Sequence, residues 1–279
     1  MERKIKNQVS GFSTQDGAGV NLVRVLGHGT VEDFDPILML DSFDSTNPDD
    51  YTAGFPMHPH RGIETITYVY RGQITHRDSL GNEDTIAEGE VQWMTSGSGI
   101  LHEEKLPASE RLLGVQLWLN MPAKDKMSAP AYNSIKNNRI EEISLDGGKL
   151  RLLAGEYENR KGFASKYLPL DFYDLHLNPN VSAVINTEKE CSVMLFTLSG
   201  DAFIGGELVK EKTAVKLTSG DNVEITANGK NAQVLFVSSI FLNEPVAWRG
   251  SIVMNTMEEL SRAYDDLKNG TFLQTEISY

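Results

Sequence analysis

The chain has 279 residues, 40% hydrophobic and 23% charged, enough apolar material for two domains of roughly 120–140 residues each and no composition that calls for disorder. Lys and Arg total 26 against 39 Asp and Glu, and the net charge of −13 repels phosphate backbones, which argues against direct nucleic-acid binding. No apolar run approaches the roughly 18–20 residues that cross a membrane, and the N-terminal MERKIKNQVSGFS lacks a signal-peptide apolar stretch, so a cytoplasmic protein without membrane contact is expected.

Strand signals dominate the first two thirds. ETITYVYRG, QITHRDS, VQWM, LLGVQLWLN and KLRLLAGE are short, rich in β-branched or aromatic residues, and punctuated by Gly, Asn and Asp about every ten residues. That rhythm predicts an all-β sandwich or barrel of antiparallel strands rather than βαβ units. Met121 to about Asn138 carries two prolines and many small polar residues and reads as a linker. From about Tyr167 the rhythm returns in DFYDLHLNP, SVMLFTLSGDAFIGG, TAVKLTSGDNVEIT and AQVLFVSSIFL. YVYRGQI corresponds to FTLSGDAFI, and IAEGEVQWM to KLTSGDNVEI, so two copies of one β-barrel are the economical reading. The division is expected at 1–135 and 136–279. The second part includes a helix near 256–269, with Asn255 or Thr256 as cap, Glu258 and Glu259 in the first turn and Gly270 as the stop. Met257, Leu260, Tyr264 and Leu267 share one face of it.

The chain holds six histidines and one cysteine. Cys191 excludes an intrachain disulfide framework, and its acidic neighbours Glu188 and Glu190 disfavour a reactive thiolate. Two histidines form His58-Pro59-His60, followed at four positions by Glu64; residues two apart on a strand face the same way, which predicts a common side for all three. His102 and Glu104 repeat the two-residue spacing after SGSGILH, while Glu103 faces away. Antiparallel strands can bring both pairs to one point, giving a mixed N/O donor set that suits Fe(II), Mn, Co, Ni, Cu or Zn. By parity alone either Glu64 or Glu104 can supply the carboxylate. His76, in QITHRDS, reads as a polar residue at the barrel mouth, with orientation of a ligand as the alternative. His28 and His176 have no partner at ligand spacing. Arg61 could attract an anionic substrate or pair with Asp41 or Glu64. Phe55, Met57, Trp93 and Met94 read first as core and second as lining for a flat aromatic molecule.

GFPMHPHRGIETITYVYRG followed by GEVQWMTSGSGILHEE closely resembles the pirin family of the cupin superfamily, and the similarity continues through GVQLWLN, SGDAFIGG and EPVAWRGSIVMNTMEEL. The resemblance implies two consecutive cupin domains, jelly-roll-type double-stranded β-barrels, with a C-terminal helix. It also implies one divalent transition metal in the N-terminal barrel, Fe(II) foremost, held by His58, His60, His102 and Glu104. On that pattern the second motif supplies the carboxylate, so Glu104 is favoured over Glu64. Some pirin-like proteins are quercetin 2,3-dioxygenases, which implies a flavonol-type aromatic substrate and O2, with Glu104 both ligating and accepting the substrate's proton. The family also includes metal-dependent regulators, which implies as the alternative a redox-sensitive protein that binds a transcription factor or metabolic enzyme. The second barrel, with no HxH or HxE, is expected to hold no metal.

Overall fold

The structure, a computed structural model, describes residues 1–274. Twelve strands precede residue 136: β1 (Ile5–Ser10), β2 (Phe12–Asp16), β3 (Val20–Leu26), β4 (Ile37–Ser45), β5 (Phe55–His60), β6 (Ile63–Arg71), β7 (Ile74–Asp78), β8 (Glu83–Ile86), β9 (Glu90–Thr95), β10 (Ile100–Lys105), β11 (Leu112–Asn120) and β12 (Ala131–Ile135). The expected all-β architecture of two cupin barrels with a C-terminal helix is what the chain adopts.

The first barrel has a seven-stranded sheet in the order β12-β9-β6-β11-β4-β3-β2 and a four-stranded sheet in the order β5-β10-β7-β8. Its central strands are mostly apolar and buried over most of their length: all nine residues of β11 (LLGVQLWLN) are buried, as are the first seven of β4 and of β6. Strands covered on both sides are expected to read this way rather than as a polar–apolar alternation. Where a glutamine or threonine interrupts such a strand, its side chain needs a partner inside. The second barrel repeats the plan. Its seven-stranded sheet joins β1 to strands Thr213–Leu217, Ser192–Ser199, Ala232–Ser239, Leu170–Leu177, Gly148–Ala154 and Glu141–Leu145, and its four-stranded sheet starts from Ser182–Asn186. Its core is a cluster of Leu, Val and Ile side chains around Tyr173 and Phe236.

The compact units are not contiguous in sequence. One comprises Ser13–Arg24, Ile37–Lys136 and the described part of Leu242–Tyr279; the other comprises Met1–Phe12, Val25–Pro36 and Asn137–Phe241. A single cut near residue 135 therefore does not separate them. β1 belongs with the second barrel because it pairs antiparallel with Thr213–Leu217, from Ile5 opposite Leu217 to Ser10 opposite Thr213. The C-terminal segment belongs with the first because a strand pair, Ala247–Arg249 with Ile252–Met254, and the helix form a satellite core of Ala247, Ile252, Met254, Leu260, Ala263 and Phe272.

The helix runs Met257–Asn269. Thr256 accepts from Glu259 N while the Glu259 carboxylate takes the Thr256 N–H, and Gly270 ends it in the left-handed conformation, φ 73°. The buried face differs slightly from the expected one: Leu260 and Ala263 are buried, whereas Met257 is 70% exposed. The stretch expected as a linker also holds more structure. Residues 131–135 form β12, an edge strand registered on β9 with Tyr132 opposite Met94.

Candidate metal centre

β5 and β10 pair antiparallel so that His102 lies opposite His58, and a bulge then sets Glu104 opposite Phe55. The alternation along β10 buries His102 and Glu104 and turns Glu103 outward, where it approaches Arg77 at 4.0 Å. The imidazole rings of His58, His60 and His102 consequently crowd together, with centroids 4.4–4.9 Å apart. One nitrogen from each lies within 4.8 Å of the other two. His60 and His102 are buried and His58 is half-buried. Burial first, then neighbouring imidazoles, holds His60 and His102 well below the usual histidine pKa, so both rings are neutral lone-pair donors near neutral pH.

Glu104 shares the face of His102 but is not among the side chains within that 4.8 Å. Two amides from the opposite sheet hold its carboxylate: Gln92 Nε2 on β9 donates to Oε1 at 2.8 Å and Gln116 Nε2 on β11 donates to Oε2 at 3.0 Å. Each carboxylate oxygen keeps a second lone pair. Sequence reading missed both glutamines. Their signal was a polar residue inside VQWM and GVQLWLN, two strands that are otherwise apolar.

Glu64 does not share a side with His58 and His60. The parity count fails because the chain turns between β5 and β6, at Gly62 (φ 79°), into the other sheet. A Cβ at Gly62 would lie 2.0 Å from the Val253 carbonyl, so both the conformation and the close approach require glycine there. On β6, Thr67 is opposite Gln92 and Gln116 and faces the site, which turns Glu64, three positions away, to the other face. Its carboxylate accepts from Thr95 Oγ1 at 2.6 Å.

Arg61 neither awaits an anion nor pairs with Asp41 or Glu64. Its guanidinium is buried against the C-terminal segment, donating to Ser98 O (2.7 Å), Asp266 Oδ2 (2.7 Å) and Phe272 O (2.9 Å) and lying 4.2 Å from the Phe272 ring centroid. Asp41 pairs instead with Arg24. The same segment grips the ligand-bearing strand at two more points: Ser251 Oγ donates to Pro59 O, and Val253 N donates to Arg61 O at 3.0 Å. Lys126 adds a third anchor, its ammonium donating to Gly62 O (2.7 Å), Asn120 Oδ1 (2.6 Å) and Val253 O (3.1 Å).

Of the apolar residues considered as lining, Trp93 and Met94 are fully buried, Phe55 packs 6.3 Å from Phe43 in the core, and Met57 is 48% exposed. Trp118 meets His60 edge to face at 5.2 Å. His76 is buried inside the barrel, not at its mouth. Its Nε2 lies 2.9 Å from Asp78 Oδ2 and its Nδ1 lies 3.3 Å from His102 Nδ1, while Tyr132 stacks on its ring at 4.2 Å. In the second barrel, His176 does have a partner, Asp174 Oδ2 at 2.8 Å, a carboxylate that Gln233 also holds.

The donor geometry fits a metal ion. His58 Nδ1 faces the Pro56 carbonyl at 2.8 Å and so carries the ring proton, leaving Nε2 as a lone pair 3.0 Å from His60 Nε2. Two nitrogens at about 2.1 Å from a common ion and at right angles to each other stand about 3.0 Å apart. His102 Nε2 is buried and, among the described residues, has no hydrogen-bond partner. A buried polar atom without a partner calls for an explanation, and an ion supplies one.

Comparison with known proteins places the chain among related sequences. The family model described as Pirin matches residues 19–119, and the model described as Pirin C-terminal cupin domain matches 172–273. A pirin-like protein of Caulobacter vibrioides is 38% identical over 97% of this chain and 99% of its own length. The Homo sapiens protein named pirin is 33% identical over 96% of this chain and 93% of its own. The crystal structure of a quercetin 2,3-dioxygenase from Acinetobacter baumannii superposes with a TM-score of 0.90 at 31% identity, covering 98% of this chain and 99% of that one.

Proposed function

Because the chain belongs to the pirin family of two-cupin proteins, we propose that its first barrel holds one divalent transition metal through His58, His60, His102 and Glu104 and uses it in a dioxygenase reaction on a flavonol-type aromatic substrate. The observation that carries this reading is the cluster of three imidazoles, delivered by two adjacent strands of one barrel to within 4.8 Å. Three neutral nitrogens and one carboxylate suit a first-row ion, with Fe(II) first and Mn, Co, Ni, Cu and Zn as alternatives. A nickel(II) complex of an Escherichia coli bacterial pirin, 21% identical to this chain, accords with one of these. Such an ion, when bound, supplies a Lewis acid for a substrate oxygen and, where it is redox-active, a route to O2.

The chain's own residues supply the rest. Glu104, buried and held by Gln92 and Gln116, is the residue we assign to take the proton of a substrate hydroxyl, since each carboxylate oxygen has a second lone pair beside the one an amide uses. The two amides, one on each oxygen, fix the carboxylate before substrate arrives, which is the value of a preorganised base. Trp118 walls one side of His60 with an apolar ring. His58, the most accessible of the three imidazoles, marks the side from which a substrate reaches the centre.

The test is an anaerobic reconstitution with Fe(II), followed by O2 uptake measured with an electrode and bleaching of a flavonol's near-visible absorbance. Loss of both signals in Glu104→Gln, with the metal retained, is the expected result. A protein that binds each ion tightly yet consumes no O2 with any flavonol overturns the enzymatic reading and leaves metal binding in place.

A further inference from the structure

The cross-strand register that builds the centre also places a second, deeper pair of side chains behind it. On β7, His76 lies opposite Glu104 and Asp78 lies opposite His102. Of the three clustered histidines, His102 is the one that His76 meets, at 3.3 Å between the Nδ1 atoms. We infer that Asp78, acting through His76, sets which ring nitrogen of His102 carries the proton and so keeps His102 Nε2 available as a metal ligand; this rests on the metal reading above.

The turn after β7 locks the Asp78 carboxylate. Oδ1 accepts from Leu80 N (2.9 Å), Asn82 N (3.1 Å) and Asn82 Nδ2 (3.1 Å), and Oδ2 accepts from Asn82 Nδ2 (2.9 Å). Gly81, at φ 85°, permits that turn. The remaining contact of Oδ2 is His76 Nε2 at 2.9 Å. An ionised carboxylate only accepts, so His76 Nε2 must carry a hydrogen. With His76 in its neutral form, its single N–H is the one on Nε2, which makes Nδ1 an acceptor. The atom facing it at 3.3 Å is His102 Nδ1, which must therefore be the donor. His102 is then left with its lone pair on Nε2, the buried atom that has no hydrogen-bond partner among the described residues.

One carboxylate thus dictates two tautomers in series, and the last of them presents a lone pair where the three imidazoles meet. Reversing the series would put a hydrogen on His102 Nε2, where it blocks coordination. His76 and Asp78 are positioning residues: neither is placed to touch an ion or a substrate, and both act through His102. Tyr132, stacked on His76 at 4.2 Å with the rings 13° from parallel, keeps the intermediate ring from rotating out of this arrangement.

Asp78→Asn is the decisive variant. The atom at Oδ1 must stay an oxygen, because three N–H groups point at it, so the amide nitrogen takes the Oδ2 position and donates to His76 Nε2. His76 then protonates at Nδ1 and His102 at Nε2. Two measurements read this out: the tautomer of each histidine in metal-free protein, from ring-nitrogen NMR couplings with isotope-labelled histidine, and the Zn(II) affinity by chelator competition. The expected wild-type state is His102 with its proton on Nδ1. In Asp78→Asn the proton moves to Nε2 and Zn(II) affinity falls about 10–100-fold. Asn82→Ala is the control: it loosens the turn but keeps the carboxylate on His76, so tautomers and affinity should stay within about twofold of wild type. The inference is overturned if wild-type His102 carries its proton on Nε2, if Asp78→Asn leaves the tautomers unchanged, or if Asn82→Ala loses as much affinity as Asp78→Asn. Tautomers that respond as described in a wild-type protein that takes up no Zn(II) would sink the metal reading and leave the Asp78–His76–His102 series standing.

Discussion

Gln92 and Glu104 meet across the interior of the first barrel, the amide nitrogen 2.8 Å from a carboxylate that Gln116 approaches at 3.0 Å from β11, on the far side of β6. A hydrogen bond to a buried charged acceptor contributes more than a neutral one, about 1.5–3 kcal/mol. Gln92→Leu is expected to lower the stability of the metal-free protein by roughly that amount in urea melts, and Gln116→Leu to do the same. The double variant should fall short of the sum or exceed it, because both amides serve one carboxylate. Strict additivity would mean that the two act independently of Glu104.

Arg61→Ala removes a nearly buried guanidinium from three acceptors at once. Asp266 is about one-third exposed, so water compensates part of the lost ion pair, but the Ser98 and Phe272 carbonyls lose a donor inside. The expected cost is about 2–3 kcal/mol by chemical denaturation. Arg61→Lys should recover little of it, since one ammonium cannot reproduce the planar fork that reaches Ser98, Asp266 and Phe272 together. Full recovery by lysine would show that charge alone matters.

Burial pushes the Lys126 ammonium down to about 7, with Glu244 and Glu259 opposing weakly, whereas a lysine in the unfolded chain titrates near 10.4. Between these values the unfolded chain holds a proton that the folded one has released, so stability rises with pH through this window and levels off above it. Lys216, lowered to about 8 by its own burial, adds a second contribution with the same sign. Urea midpoints measured at pH 7 and pH 9 should therefore increase with pH, and Lys126→Met should flatten most of the slope. An unchanged slope in that variant would place the titration elsewhere.

Metal should stabilise the fold by mass action. An ion that binds only the folded chain contributes about 2.7 kcal/mol at a concentration 100 times its Kd. Thermal melts with and without Zn(II) or Ni(II) should show an upward shift that a chelator reverses. His60→Ala and His102→Ala should each abolish the shift, while His28→Ala, remote from the cluster in sequence, should keep it. A shift that survives loss of both cluster histidines would assign the ion to another site.

The strand rhythm of ETITYVYRG, VQWM and LLGVQLWLN made the all-β class legible, because β-branched and aromatic runs between turn residues have few other solutions. The HPH and HxE spacings made the three imidazoles and the buried acid legible, because period-two alternation survives within one strand. It does not survive a turn. Glu64 was misplaced for that reason, since the count ran from β5 across Gly62 into a strand of the other sheet. Arg61 was misread because two of its three acceptors, on Asp266 and Phe272, lie more than 200 residues away, in the C-terminal segment, beyond the reach of any local pattern. Tyr132 was hidden in a polar stretch, AYNSI, whose strand exists only because β9 offers an edge for it. His76 looked peripheral because its meaning depends on registers across β10, which no spacing along the chain reveals.

The C-terminal segment's grip on β5 bears on the order in which the molecule is made. A ribosome releases the HPH motif well before Ser251, Val253, Asp266 and Phe272, so the nascent first barrel lacks the pieces that hold its ligand strand until they emerge. A truncated product ending near residue 136 would carry every candidate ligand and yet lack these supports. Its ligand strand would be held by fewer hydrogen bonds than in the whole chain, so the three imidazoles would be less firmly fixed relative to one another.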